Sequence, residues 1–308
     1  MTRTIIRLIA GIGLFALVLH FADPVRVLKA LGRPDPLWLL AGFAASVAAS
    51  ITSALRWHAL ATWLGLQATR HSMIFAYWRG ITANTVLPGG HLGGDALRAL
   101  HLQNAGHGLG SAAASVALDR LSGLWMLAAI SLGTMALALS LDMLQGALPA
   151  VSAPLIALIA LLTLVAPLLA WQVSDSARRR LPAKLAQMLN ALHQRPRPLV
   201  LYFSQMLWSA GVQFLSIMAF ACGGHAVGLD LSWWVYFIAS GLIFLLAALP
   251  VSIGGWGTRE AAAVVTLGVF GGPRDLAIAS AILYGLFAAL QGLLGALTLL
   301  QANKKNID

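Results

Sequence analysis

The sequence predicts an all-α, polytopic integral membrane protein with about six full spans plus two re-entrant helical hairpins arranged as an inverted repeat. Three observations carry this reading. First, the 308 residues are 59% hydrophobic and only 10% charged, with a mean hydropathy of +0.82, whereas a soluble domain carries about 25% charged residues. Second, apolar runs of about the length of a bilayer core follow one another along the chain, leaving no room for a soluble domain of about 100 residues. Third, two stretches break the apolar pattern in the same way: Leu87-Pro88-Gly89-Gly90-His91-Leu92-Gly93-Gly94-Asp95-Ala96-Leu97-Arg98, and Leu249-Pro250-Val251-Ser252-Ile253-Gly254-Gly255-Trp256-Gly257-Thr258-Arg259-Glu260. Each ends a run with Leu-Pro, crosses a glycine-rich turn and resumes with charge. Proline lacks a backbone donor and glycine frees φ, so neither stretch continues as one helix. Backbone opened at membrane depth must line a cavity or be satisfied by protein.

Taken in order, residues 5–21 form a first run of about minimum spanning length, preceded by Arg3 and flanked within by Arg7. His20-Phe21-Ala22-Asp23 is a poor cleavage site, so this run is expected to stay as a signal anchor. Residues 22–36 mix charge with Val25, Val27, Leu28 and Leu31 between prolines, the pattern of a short interfacial helix. The second span is expected over 37–55, closed by Arg56-Trp57 as an interfacial belt. Residues 73–103 read as the first re-entrant hairpin, because 96–103 is too short and polar to complete a crossing. Spans follow at 111–141, 151–171 and 199–220. The second hairpin has its arms at 233–249 and 258–270, and the last span covers 276–300.

Charge orients these elements. Residues 174–198 carry Arg178, Arg179, Arg180, Lys184, Arg195 and Arg197 against Asp175 alone, and the positive-inside rule places them in the cytoplasm. Residues 222–232 have no Lys or Arg and fall outside. The first hairpin then begins and ends inside, the second outside, and both termini are cytoplasmic. Arg26, Lys29 and Arg33 land outside, one departure from the rule. The expectation is a single membrane domain, 1–308, with a first repeat over 1–145 and a second, inverted repeat over 146–308.

Charges kept near membrane depth cost about 2.5–3.5 kcal/mol each on insertion scales and face a cavity or a partner. Asp95 and Arg98 share a helical face after the first break, Arg259 and Glu260 open the helix after the second, and Asn84 precedes the first. A helix start offers free N–H groups, and arginine adds a planar fork, so each break is suited to an anionic phosphate. The competing reading has Asp95 and Glu260 capping their helices while the arginines pair with them. Arg56, Arg79, Asp119, Arg120 and Trp256 are supporting candidates: Arg56 and Arg79 for headgroups or snorkelling, Asp119-Arg120 as an internal pair, Trp256 as a gate or a packing residue.

Other chemistries find no motif. The eight histidines lack metal spacing, Cys222 is the single cysteine, and neither a G-x-S-x-G elbow nor a Walker lysine occurs. No catalytic residue, metal or cofactor is therefore expected. The net charge of +10 is scattered over loops without a recognition motif, which argues for anionic lipid rather than nucleic acid. No feature assigns an oligomeric state.

The ordered set Arg56-Trp57, Asn84, Leu87-Pro88-Gly89-Gly90, Gly93-Gly94-Asp95 with Arg98, Asp119-Arg120 with Gly123, Pro250, Gly254-Gly255-Trp256-Gly257 and Arg259-Glu260 resembles the lysylphosphatidylglycerol synthase transmembrane, or flippase-like, family. The resemblance implies movement of an anionic or headgroup-modified lipid between leaflets of the cell inner membrane, as in the membrane half of the multiple peptide resistance factor. Nothing after Asp308 corresponds to that protein's aminoacyl-transfer domain, so lysine transfer is not expected. The implied substrate is a membrane phospholipid or glycolipid, and a separate lipid-modifying enzyme is a candidate partner. Two rivals stand beside it: an integral membrane transferase using a lipid-linked donor, with Asp95 or Glu260 as base, and a scaffold without turnover.

Overall fold

The computed structural model describes residues 24–86, 92–143, 152–171, 197–248 and 255–304. Among these are ten helices and no strand: α1 (Pro24–Gly32), α2 (Pro36–Trp63), α3 (Arg70–Val86), α4 (Leu92–Asn104), α5 (Leu109–Ser140), α6 (Ala153–Trp171), α7 (Pro198–Ala226), α8 (Trp233–Ala248), α9 (Thr258–Gly268) and α10 (Arg274–Lys304). Four are long and apolar enough to cross a membrane: α2, α5, α7 and the part of α10 over Arg274–Ala296. Ala153–Leu169 in α6 and Trp233–Ala248 are shorter apolar helices. The expected anchor over 5–21, most of the basic loop over 174–198 and the centres of both breaks, 87–91 and 249–254, lie outside the described residues.

Local sequence explains the helix starts that matter most. Pro36 and Pro198 occupy first-turn positions, where the missing N–H costs nothing. Asp35 caps α2 through Oδ1, which accepts from the N–H of Leu37 at 2.8 Å. The Asp35 N–H in turn donates to the carbonyl of Ala226 at 2.8 Å, tying the start of α2 to the end of α7. Among the described helices these two share the most extensive packing interface, and they run antiparallel, with Asp35 beside Ala226 and Arg56 beside Ser209.

One boundary departs from the sequence expectation in an informative way. The span expected to end at 55 continues to Trp63, and Arg56-Trp57 are not an interfacial belt. Both side chains are buried in the interior. The charge that reads as a terminus is instead a core residue with a carboxylate partner.

The remaining helices pack in pairs. α3 and α4 form one hairpin, α8 and α9 the other; α4 lies on α5, α9 lies on α10, α3 packs against α10 and α8 against α5. Small residues set the distances, as expected where dispersion and close backbone approach drive helix association. A Cβ on Gly292 of α10 would stand 2.9 Å from Thr85 Oγ1 of α3, and Thr82 Oγ1 donates to the Gly292 carbonyl at 2.8 Å. Between α8 and α10, Phe244 stacks on Tyr284 with centroids 5.1 Å apart. Within the first hairpin, a Cβ on Gly94 would run into the Gly80 carbonyl and the Asn84 side chain.

That contact yields a paired prediction. Gly94→Ala forces α3 and α4 apart and destabilises by about 1–3 kcal/mol. Gly133→Ala, at a helical position where a Cβ meets nothing within 4 Å, is stabilising by up to about 1 kcal/mol through helix propensity. Thermal unfolding in detergent should order the proteins Gly133→Ala, wild type, Gly94→Ala.

Candidate functional site

A cavity of about 460 Å³ lies among α2, α3, α4, α5, α7, α8 and α10. Its charged wall grows from one carboxylate. Asp119 of α5 accepts from Arg56 Nε of α2 at 2.8 Å through Oδ1, and from Arg98 Nη2 of α4 at 2.5 Å through Oδ2. The three side chains are 1%, 4% and 2% exposed respectively. Burying an unpaired ion costs several kcal/mol, so each of these charges depends on the others.

Neighbours complete the arrangement. Arg56 Nη1 donates to Ser209 Oγ of α7 at 3.2 Å, and Gly123 leaves the room the guanidinium fills: a Cβ there would sit 3.1 Å from Nη1. Arg98 lies 4.2 Å from the Trp57 ring centroid and 4.7 Å from that of Tyr77, so two aromatic faces hold its plane. Trp57 is fixed by its own Nε1, which donates to Ser115 Oγ at 3.1 Å. Asp119 and Arg120, adjacent in sequence, do not pair as an internal pair. Arg120 forks onto Asp95 of α4, with Nε 3.0 Å from both carboxylate oxygens and Nη2 2.8 Å from Oδ1. Arg98 Nη1 also approaches Asp95 Oδ1 at 3.6 Å. Among the described residues, three guanidiniums against two carboxylates leave this wall with one net positive charge.

Of the residues singled out from sequence, Asn84, Asp95, Arg98, Arg56 and Arg120 line the cavity. Asn84 also accepts from the Gly94 N–H at 2.8 Å through Oδ1, so it satisfies backbone just beyond the first break. Asp119 stands behind the two arginines that it bridges. Arg79 lies on α3 within electrostatic reach of His101.

Arg259, Glu260 and Trp256 lie outside the cavity lining given by the described residues. Glu260 Oε1 accepts from Arg259 Nη2 at 2.7 Å, while Oε2 accepts from the Gly257 N–H at 2.6 Å. Glu260 therefore caps its own helix and neutralises its neighbour. Gly255 and Gly257 have φ of +78° and +84°, values that a side chain disfavours. The Arg259 guanidinium lies 4.9 Å from the Trp256 centroid and packs against Gly285, where a Cβ would collide with it. The second hairpin contributes Phe244 and Ala248 of α8 to the cavity, and Tyr284 of α10, another lining residue, is within electrostatic reach of Arg259.

The rest of the polar lining went unread in the sequence. Ser46, Ser50 and Ser53 recur on α2 ahead of Arg56, Gln213 and Ser216 on α7, and Tyr284 and Gln291 on α10. Spacings of three, four and seven place each set on one helical face, a polar stripe in an apolar span. That periodicity, rather than charge, was the available signal. Among the described residues, no group of three or more His, Cys, Asp or Glu side chains converges as a metal site would require.

A family model described as the lysylphosphatidylglycerol synthase TM region matches residues 4–295. The chain belongs to that family. No curated protein matches it. The lysylphosphatidylglycerol synthase TM match spans the whole network, from Ser46 on α2 to Gln291 on α10, so the cavity is built within the region that defines the family.

The network makes a graded prediction. Asp119→Ala strands two buried arginines and lowers stability by about 3–5 kcal/mol. Arg120→Ala removes a part-exposed pair and costs about 1 kcal/mol or less. Thermal unfolding followed by intrinsic fluorescence of the ten tryptophans reads both; equal losses would contradict the central place given to Asp119.

Proposed function

We propose that the protein is a membrane lipid translocase that moves an anionic or headgroup-modified lipid between leaflets, its headgroup passing through the cavity while its acyl chains stay in lipid. The observation that carries this reading is a net positive, part-polar cavity enclosed by helices of both halves of an apolar bundle. A volume of about 460 Å³ falls in the range of small-molecule sites. Leu92 and Leu124 line it and yet are 61% and 38% exposed, which supports a mouth bordered by lipid-facing leucines, where acyl chains remain outside.

Helix packing supports two inverted repeats, over 1–145 and 146–308, with the breaks as re-entrant hairpins entering from opposite faces. Exchanging α2–α5 with α7–α10 turns the α3–α10 contact into α8–α5 and the α4–α5 contact into α9–α10. The corresponding helices α2 and α7 are antiparallel, as inversion requires. In this reading the protein sits in the cell inner membrane with about six full spans and both termini cytoplasmic.

Arg98 and Arg120 receive the headgroup phosphate, which competes with Asp95 for the part-exposed Arg120 and returns it when the lipid leaves. Asn84 keeps the first break in shape. Arg259 and Glu260 hold the second hairpin rigid as its counterpart. No nucleotide motif is present, so movement runs down a gradient or is coupled to one.

Transfer chemistry is less well supported. Asp95 and Asp119 accept from arginines, and Glu260 accepts from Arg259 and a backbone N–H. Among the described residues, no carboxylate at the cavity is left to act as a general base.

Purified protein in proteoliposomes should accelerate transbilayer movement of an anionic phospholipid. Arg98→Ala and Arg120→Ala each lower the rate by about tenfold or more, the worth of one charge-assisted hydrogen bond. Unchanged rates in both variants would remove the proposed path.

A further inference from the structure

Among the described residues of the cavity wall, two side chains keep a hydrogen-bonding group without a protein partner although both are almost wholly buried. The Nε of Arg98 is one, on a residue whose Nη atoms are already engaged by Asp119 and Asp95. Gln291 of α10 is the other: it is 3% exposed, its amide nitrogen lies 2.6 Å from Ser46 Oγ, and its carbonyl oxygen has no partner. Both residues line the cavity. The close approach of Gly292 to Thr85 and the Thr82 bond to the Gly292 carbonyl fix α10 at this level and present Gln291 beside α2.

Each group makes its own chemical demand. A buried guanidinium N–H asks for an anionic oxygen, and the net positive wall favours one negative charge. Gln291 asks for something else. An amide can be turned either way about its terminal bond, exchanging oxygen and nitrogen. With its nitrogen on Ser46 the free group is an acceptor; turned over, the free group is a donor. A hydroxyl serves both cases, because it donates and accepts. An ammonium only donates, and a methyl does neither. Ser50 adds to the same face: its hydroxyl donates to the Ser46 carbonyl at 3.2 Å, which leaves its oxygen free to accept.

The wall also says what it disfavours. Among the described residues, its two carboxylates, Asp95 and Asp119, are held by arginines. A headgroup ammonium meets no available counter-charge there and is repelled by the surplus guanidinium.

We infer that, within the translocase reading on which this rests, the cavity selects lipids whose headgroup joins one phosphate charge to hydroxyls, a polyol phosphate, over headgroups that end in an ammonium. The phosphate lies toward Arg98 and the hydroxyls toward Gln291, Ser46 and Ser50. The family description names a lysylated headgroup; this wall is matched to the polyol phosphate without the added amine.

The test separates binding from movement. Native mass spectrometry of the purified full-length protein titrates four lipids with identical acyl chains: phosphatidylglycerol, phosphatidylmethanol, phosphatidylethanolamine and lysylphosphatidylglycerol. Phosphatidylglycerol should bind about tenfold more tightly than phosphatidylmethanol, the worth of one added hydrogen-bonded group, and both ammonium lipids should bind more weakly than phosphatidylglycerol. Gln291→Leu, or the milder Ser46→Ala should the first fail to fold, should narrow the gap between phosphatidylglycerol and phosphatidylmethanol. Equal wild-type affinity for those two lipids, or an ammonium lipid binding as tightly as phosphatidylglycerol, overturns the inference and needs no variant. Proteoliposome transport of the same lipids reads the other claim: preference in binding without any movement overturns the translocase and keeps the site, whereas movement without binding preference overturns the site alone.

Discussion

A single carboxylate held between two guanidiniums organises this molecule. Asp119 links α2 through Arg56 and α4 through Arg98 to its own helix α5, so the first hairpin, the longest apolar helix and the central antiparallel pair meet at one buried point. In an apolar bundle, dispersion alone tolerates small slips between helices. A buried ion pair does not, since a slip leaves charge unpaired. The network therefore fixes where the polar cavity lies and keeps its wall charged. Trp57, Tyr77 and Gly123 follow from it, because a guanidinium needs flat faces beside it and room behind it.

The two hairpins solve the same backbone problem and spend their charge differently. In the first, Asn84 satisfies backbone beyond the break while Arg98 and Asp95 reach out to α5. In the second, Glu260 turns back on the Gly257 N–H and on its neighbour Arg259, and the pair closes on itself against Gly285. Similar helix order thus coexists with unequal chemistry: one hairpin supplies cavity charge, the other a rigid wall whose contributions are Phe244 and Ala248. The cavity thus has a charged side from the first hairpin and α5, and a neutral hydrogen-bonding side from Ser46 and Ser50 of α2 and Gln291 of α10, the contrast on which the proposed headgroup preference rests.

Much of the helical layout was legible in the sequence because apolar runs, proline starts and glycine breaks are local signals. The arms of both hairpins and the spans near 111–141, 199–220 and 276–300 correspond to helices whose ends differ by a few residues. Arg56 was not legible as an interior residue: a charge after an apolar run looks like a membrane boundary, and only the distant Asp119 makes it a core position. For the same reason Asp119 and Arg120 read as a pair, whereas helix geometry sends adjacent side chains to different neighbours, Arg56 and Arg98 for one, Asp95 for the other. The serine and glutamine stripes are marked by period alone, because neutral polar side chains interrupt an apolar run far less sharply than charge does. Whether such stripes face one another depends on tertiary packing that no single helix encodes.

The most direct measurement places a photoactivatable residue at Leu127, an apolar position in the cavity wall, and identifies by mass spectrometry what it captures in intact membranes. The account predicts a covalent adduct with an anionic phospholipid, lost when Arg98→Ala is introduced into the same protein. Capture of lipids in proportion to their abundance, indifferent to charge and to Arg98, would contradict it.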